Sequence, residues 1–301
     1  MRDVILQQVL ESVSIDRIRN HIKALEGVRH PVAAPEALER ACRYIWESLQ
    51  FMGYEMSGHN FCDDNREFKN VIASRGGKGF PGKRVIVLAH YDTVSSTPGA
   101  DDNASGVAVM LEIAEVLKAF QFEKSIQFAG VNLEENAREN DHASGTRGSR
   151  ALAAYARENE WQIEGVIVLE SVAFAGDSVV QNAPADIPMK VSEVGNFIAV
   201  VGNEDSKDLV HGFTGAIERY RLPLPYESVV VAGCGEVLPD TRRSDHAPFW
   251  DEGFRAVMVT DTTNFRNPYY HKPGDTMQTL NLQFAAEVCR ATAGLVLEMA
   301  Q

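Results

Sequence analysis

From residue 84 onward the chain repeats one pattern, a short and almost purely apolar run followed by a stretch with apolar residues at helical spacing. The runs fall at 84–89, 125–133, 165–169, 197–201, 228–231 and 255–260, and the helical stretches at 104–119, 149–159, 207–220, 245–253 and 282–299. Strands with so little polar alternation are covered on both faces, and strands that alternate with helices form parallel sheets wrapped by their own crossovers. The fold class that follows is α/β, with a largely parallel, mixed central sheet and helices on both faces. No linker-like composition break divides the 301 residues, and no repeat or low-complexity segment interrupts them. The expectation is a single domain over residues 1–301.

Ahead of this pattern, residues 1–53 read as two amphipathic helices. The second carries Leu38, Ala41, Cys42, Ile45, Trp46 and Leu49 at helical spacing and stops at Gly53. Residues 70–73 and 84–89 read as a hairpin pair around the Gly-rich turn 75–82. That turn holds Gly76, Gly77, Lys78 and Gly79 but lacks the G-x-x-x-x-G-K-[ST] string of a phosphate loop.

The formal net charge of −13 speaks against sequence-independent binding of nucleic acid or an anionic membrane surface, both of which need Lys/Arg patches. It suits cation and ammonium binding. No apolar run approaches the roughly 20 residues of a membrane-spanning helix, and the N-terminal stretch mixes charged with apolar positions where a signal segment would be uniformly apolar. The expectation is a cytoplasmic protein. Cys42, Cys62, Cys234 and Cys289 show no C-x-x-C spacing and read as free thiols.

In open α/β sheets ligands gather beyond the carboxyl ends of the parallel strands. Residues able to bind metal cluster at those places: His90 ends one apolar run, Glu134 and Glu135 another, and Glu170 follows Gly-Val-Ile-Val-Leu with no polar spacer. Asp102 and His271 lie in loops after the His90 and Val257 runs. Adjacent carboxylates at a buried strand end are costly unless cations or hydrogen bonds compensate them. Taken singly, each has a bland alternative. His90 and Asp92 can be an ordinary hydrogen-bonded pair, Asp101 and Asp102 can cap the following helix, metal aside, and Glu134–Glu135 can be a solvated loop end. His246 reads as structural, and His21, His30, His59, His142 and His211 have no ligand context.

The strings A-H-Y-D, G-A-D-D-N-A-S-G, the Glu134–Glu135 pair, S-D-H-A-P-F-W and Y-H-K-P-G-D-T, in this order and spacing, resemble the co-catalytic zinc aminopeptidases of the aminopeptidase Y and bacterial leucine aminopeptidase type. The likeness runs from about Asp16 to the C-terminus and implies the zinc-dependent exopeptidase, phosphorylase/hydrolase-like fold. It further implies two zinc ions, replaceable by cobalt or manganese. Asp102 corresponds to the bridging ligand, His90 and Glu170 complete one site, and Glu135 and His271 complete the other. Asp92 corresponds to the carboxylate that orients the first histidine, and Glu134 to the general base acting on a water shared by the metals. The Asp102–Asn103 bond corresponds to a strained link of the family that can be cis. The implied substrates are peptides with a free N-terminus, their ammonium held by Glu134, Glu170 and neighbouring acidic groups.

Three departures stand out. Glu170 replaces the Asp of many relatives, the loop 136–148 replaces a short turn and is expected to border the substrate pocket, and only Cys234 stands where some secreted relatives carry a disulfide. Arg243 and Tyr270 are the candidate substrate contacts. Arg242 and Arg243 can bind a substrate carboxylate or oxyanion, or be plain surface charge. A carboxypeptidase or glutaminyl cyclase on the same fold is the alternative, although cyclases use one zinc and five ligands stand here. A non-catalytic binding domain of transferrin-receptor-like descent is the third possibility, and it would lack ligands.

Overall fold

A computed structural model of the chain describes residues 2–138, 141, 144–184, 187 and 189–301. Its strands are β1 (Glu55–Asp63), β2 (Arg66–Arg75), β3 (Phe80–His90), β4 (Lys124–Val131), β5 (Gln162–Glu170), β6 (Ile198–Asn203), β7 (Tyr226–Val231) and β8 (Ala256–Thr260). They form one sheet in the order β1-β2-β4-β3-β5-β8-β6-β7. The centre, β4-β3-β5-β8, is parallel, as the alternating pattern requires. The flanks are antiparallel to it: β2 runs against β4, and β6 against β8 with β7 parallel to β6.

The helices are α1 (Arg2–Ser12), α2 (Ile15–Leu25), α3 (Pro35–Phe51), α4 (Gly106–Leu117), α5 (Arg147–Glu158), α6 (Lys207–Arg219), α7 (His246–Asp251) and α8 (Leu282–Ala300). Successive strand residues point to opposite faces. Val85, Val87, Ile167, Leu169, Val257 and Val259 pack on one side into a core with α2, α3, α4, α6 and α8. Ile86, Leu88, Val166, Val168 and Met258 pack on the other against Leu152 of α5 and Phe249 and Trp250 of α7. The first face is sealed by long helices, and α4 is apolar nearly all round because it lies between them and the sheet. The second face carries two helices among the described residues, α5 and the short α7, and that difference positions the pocket described below. Among the described residues no helix is long and apolar enough to cross a membrane.

Two expectations need correction. Residues before Gly53 form three helices, not two, because Ser14 interrupts the first: its hydroxyl accepts from the Arg17 amide at 3.3 Å and caps α2, while its own amide donates to Glu112 of α4 at 2.7 Å. Nor are β2 and β3 hairpin partners, since β4 lies between them. The partner of β2 is β1, joined to it through Asp64 and Asn65, both in the left-handed region that two-residue hairpin turns require. No residue of β1 is fully buried, so apolar patterning could not reveal it. The Gly-rich segment crosses beneath β4, and a Cβ on Gly77 would stand 2.3 Å from the Glu123 carbonyl oxygen, which explains the glycine.

A buried cation ties the N-terminal helices to the loop after β3. Arg29, only 2% exposed, donates to the carbonyls of Tyr91 (2.8 Å), Leu25 (2.5 Å), Gly27 (2.9 Å), Pro98 (3.0 Å) and Gly99 (3.0 Å). Burial pushes its guanidinium down to about 10, opposed by the charges of Asp102 and Asp92, so it is protonated at neutral pH. Replacing it strands several buried acceptors at about 1–3 kcal/mol each, partly relieved by water. Arg29→Met is expected to lower stability by about 3–5 kcal/mol in urea unfolding. An unchanged unfolding midpoint would show that the loop is held without it.

Candidate metal centre

His90 is the last residue of β3, Glu134 and Glu135 follow β4, Glu170 ends β5, and His271 follows β8, so all stand at the carboxyl edge of the parallel strands. Asp102 joins them from the turn that opens α4. His90 and Asp92 are fully buried, and Asp102, Glu135 and Glu170 are exposed by 3%, 7% and 6%. Leu133, Ser171 and His271, which adjoin or are candidate ligands, have positive φ, and non-glycine residues held there collect at functional sites.

Five of these side chains form two clusters that share Asp102. Nε2 of His90 lies 3.3 Å from Oδ1 of Asp102 and 3.5 Å from Oε2 of Glu170. Nε2 of His271 lies 3.2 Å from Oδ2 of Asp102 and 3.1 Å from Oε2 of Glu135. Donors arranged tetrahedrally at zinc bond lengths of about 2.0–2.1 Å stand about 3.3 Å apart, so each cluster could hold an ion. Among the described residues neither Nε2 has a hydrogen-bond partner by geometry, although both are buried. Imidazole nitrogen with carboxylate oxygen and no thiolate is a donor set suited to zinc, cobalt or manganese. Glu134 belongs to neither cluster: its Oε2 is 3.9 Å from His90 Nε2 and its side chain is 12% exposed.

The framework behind these donors is built from hydrogen bonds. Asp92 accepts the amides of Glu134 (3.0 Å) and Glu135 (3.1 Å), and its Oδ1 lies 3.5 Å from Nδ1 of His90. Asp275 accepts the amides of Asp101 (2.8 Å) and Asp102 (3.2 Å), and Ser244 donates to Oε2 of Glu170 at 2.6 Å. Asn103 donates to the Leu169 carbonyl and accepts the Ser171 amide, tying the Asp102 turn to the end of β5. The Asp102–Asn103 peptide is cis. Gly99, at φ +59°, must be glycine, because a Cβ would stand 2.3 Å from the Asp102 carbonyl oxygen.

The clustered carboxylates dominate the electrostatics. Burial opposes the charged ring of His90, but Glu170, Glu134, Asp102 and Asp92 outweigh it and hold its proton well above the ordinary histidine range. His271 is likewise raised to about 10, where burial is overcome by Asp102 and Glu135. Burial and the charge of Asp102 lift Glu135 to about 7, while the two histidines hold Asp102 below the ordinary carboxylate range despite its burial. The carboxylates thus favour positive charge between them, and a divalent ion supplies more of it per site than a proton does.

Two cavities meet at this edge. A small, mostly apolar one of about 110 Å³ lies on the side of β6 and β7, and a wider cleft of about 850 Å³ opens toward Asn136, Ala137 and Thr146. Glu134, Arg243 and Tyr270 line both. The described part of the loop 136–148 thus borders the cleft as expected, and its residues 139, 140, 142 and 143 lie outside the described residues. Tyr270 stacks on His271 with ring centres 3.8 Å apart, and Arg243 stands 3.5 Å from its hydroxyl. Arg242 is taken up by Asp251, with both contacts at 2.9 Å, and by the Cys234 carbonyl. Both arginines line the wide cleft, and Arg243, which also meets Asn264 at 3.1 Å, lines the small cavity as well.

His246 is structural as expected: its Nε2 meets the Thr241 carbonyl at 2.7 Å, and burial pushes it down to about 4. His21, His30, His59 and His211 join neither cluster. His142 lies outside the described residues. His30 lines the wide cleft, and no local pattern in the sequence announces this. Ser244, Asp275 and Asn103 were likewise unassigned as supports, although each sits inside a string quoted above.

The model of peptidase family M28 matches residues 70–296. Uncharacterized protein YfbL of Escherichia coli (strain K12) is 32% identical over 289 residues, covering 91% of this chain and 85% of that protein. Aminopeptidase YwaD of Bacillus subtilis (strain 168) is 26% identical over 237 residues, 75% of this chain but 44% of the relative's length. Among solved structures, the glutaminyl cyclase of Macrostomum lignano shares the fold with a TM-score of 0.78 at 18% identity, covering 98% of this chain and 92% of that one.

Donors that fit an ion in the native state and scatter on unfolding make metal binding stabilising. Zinc-loaded protein is expected to unfold at a higher temperature than chelator-stripped protein, an ion at 100 times its Kd adding about 2.7 kcal/mol. Equal calorimetric midpoints would mean that these donors do not hold zinc.

Proposed function

The chain belongs to peptidase family M28 and is a peptide hydrolase, and from that premise we propose a two-zinc aminopeptidase that removes residues from the free N-terminus of peptides. The observation that carries this is the Asp102 carboxylate, which turns one oxygen toward His90 and the other toward His271. A shared carboxylate between two three-donor sets is what a pair of ions requires. His90, Asp102 and Glu170 would hold one ion and Asp102, Glu135 and His271 the second, with cobalt or manganese as possible substitutes.

Bound there, the ions would polarise the scissile carbonyl and lower the pKa of a water. Glu134, unliganded and fixed through its amide by Asp92, takes a proton from the attacking water and passes it to the leaving nitrogen as the C–N bond breaks. Glu134 and Glu170 also offer the substrate's α-ammonium a pair of carboxylates, which is why a free N-terminus is required. Asp92 keeps His90 in place. Tyr270, held against His271, and Arg243, beside its hydroxyl, face both cavities and are placed to contact the substrate carbonyl.

Glu134→Gln is expected to keep full zinc content and lose about 10²–10⁴-fold in kcat, measured alongside metal analysis. Asp102→Asn should reduce binding at both sites, whereas His271→Gln should empty one. A Glu134→Gln enzyme with ordinary turnover would remove the base from that position.

The reaction itself is tested by mass spectrometry of free and N-acetylated peptides, one of them starting with Gln, with zinc-loaded and chelated protein. Stepwise N-terminal loss from free peptides only, stopped by chelation, is expected. Ammonia loss from the Gln peptide would indicate a cyclase, C-terminal trimming a carboxypeptidase, and no change under any metal a binding domain.

A further inference from the structure

The small cavity beside the metal centre has an unmatched charge at its far end. Its floor is a row of cross-strand partners, because Glu170 pairs with Thr260, Thr260 with Ala199 and Ala199 with Glu227. Registered neighbours point to the same face, and all four line the cavity. The next row on that face, Met258, Val201 and Val229, is apolar. The roof is a strap closed by the Val180–Val194 bridge and anchored where Gln181 meets Arg266 at 2.7 Å and Thr262 at 2.9 Å. From the strap Pro184, Ile187, Met189 and Val191 face the cavity. The cavity is thus an apolar passage running from a candidate metal ligand across three strands to a second carboxylate. Glu227 is half-buried, and its side chain makes no hydrogen bond or ion pair with any described residue. Arg243, the one cation among the described lining residues, lies at the opposite end, where the two cavities meet.

We propose that this cavity receives the side chain of the substrate's N-terminal residue and that Glu227 selects lysine and arginine there. This rests on the aminopeptidase activity proposed above. Three strand spacings of about 4.8 Å put roughly 14 Å between the Glu170 and Glu227 backbones. An extended lysine measures roughly 7–8 Å from α-amine to ε-ammonium, and a hydrogen bond of about 2.8 Å at each end brings the span to about 13 Å. The α-ammonium then sits at Glu134 and Glu170 and the side-chain cation at Glu227. Between them the methylenes lie on Met258, Val201 and Val229, the arrangement in which long basic side chains bury their stems. Leucine or methionine fills the apolar part but leaves Glu227 unused, and an acidic residue is repelled by it.

The test uses X-Ala-Ala peptides with X as lysine, arginine, norleucine, leucine or glutamate and the zinc-loaded full chain. Norleucine matches the lysine stem without its charge. The kcat/KM ratio of lysine to norleucine is expected to exceed one, and Glu227→Gln to lower it about 10- to 100-fold. Glu227→Lys should turn the preference toward glutamate, which loss of folding would not do. A ratio untouched by both substitutions, or a wild-type preference for norleucine and leucine, overturns the role of Glu227 while leaving the aminopeptidase standing. Cleavage of none of the peptides overturns both.

Discussion

The carboxyl edge of the sheet depends on keeping several acidic groups within a few ångströms of one another, and Asp92 is the residue on which this turns. Its two oxygens accept the amides of Glu134 and Glu135, so the backbone that presents both glutamates is fixed by a single buried carboxylate. That carboxylate also lies against Nδ1 of His90, which leaves Nε2 facing Asp102 and Glu170. One side chain therefore sets the ring orientation of one candidate ligand and the chain direction of another, together with the group proposed as the base. Asp275 does the same for the Asp102 turn through two further amides. Backbone N–H groups supply part of the compensation that buried carboxylates demand.

This arrangement follows from the crossover connections. Parallel strands bring their carboxyl ends to one side, so residues separated by tens of positions in sequence converge without long loops. His90, Glu135 and Glu170 need only be the last or next residues of neighbouring strands. Asp102 and His271 arrive on turns held by buried groups: Arg29 on Pro98 and Gly99 and Asn103 on Leu169 for the first, and Asn267 on Asp101 for the second.

The parallel centre and the convergence of the candidate ligands were legible in the sequence for the same reason: uninterrupted apolar runs mark strands buried on both faces, and a carboxylate or imidazole directly after such a run stands out. The flanks were not legible on those terms. β1 has no fully buried position, so its alternation is too weak to separate it from a loop. The pairing of β2 with β4 depends on the path of α4 between β3 and β4, which local pattern does not carry. Supporting residues were hidden in another way. Ser244 and Asp275 belong to conspicuous strings, but their partners, Glu170 and the amides of Asp101 and Asp102, lie 74 and up to 174 positions away. Arg29 has no sequence signal at all, because its acceptors are backbone carbonyls.

The unequal covering of the two faces explains why a pocket exists where it does. On the sealed face α2, α3, α4, α6 and α8 bury the strands completely, and stability resides there. On the other, α5 packs over β1 and β2 and α7 over β5 and β8, while β6 and β7 continue the sheet beyond them. β6 runs antiparallel to β8, so its N-terminal end extends the carboxyl edge sideways, and the described residues of the strap 179–195 roof what the helices leave open. A side chain entering from the metal edge thus meets a floor whose residues alternate by the pleat of the sheet, so every second position of β6 and β7 faces it. Specificity on such a floor can change by single substitutions on β7, an edge strand whose other face carries little of the core, without disturbing the donors held at the ends of β3, β4 and β5.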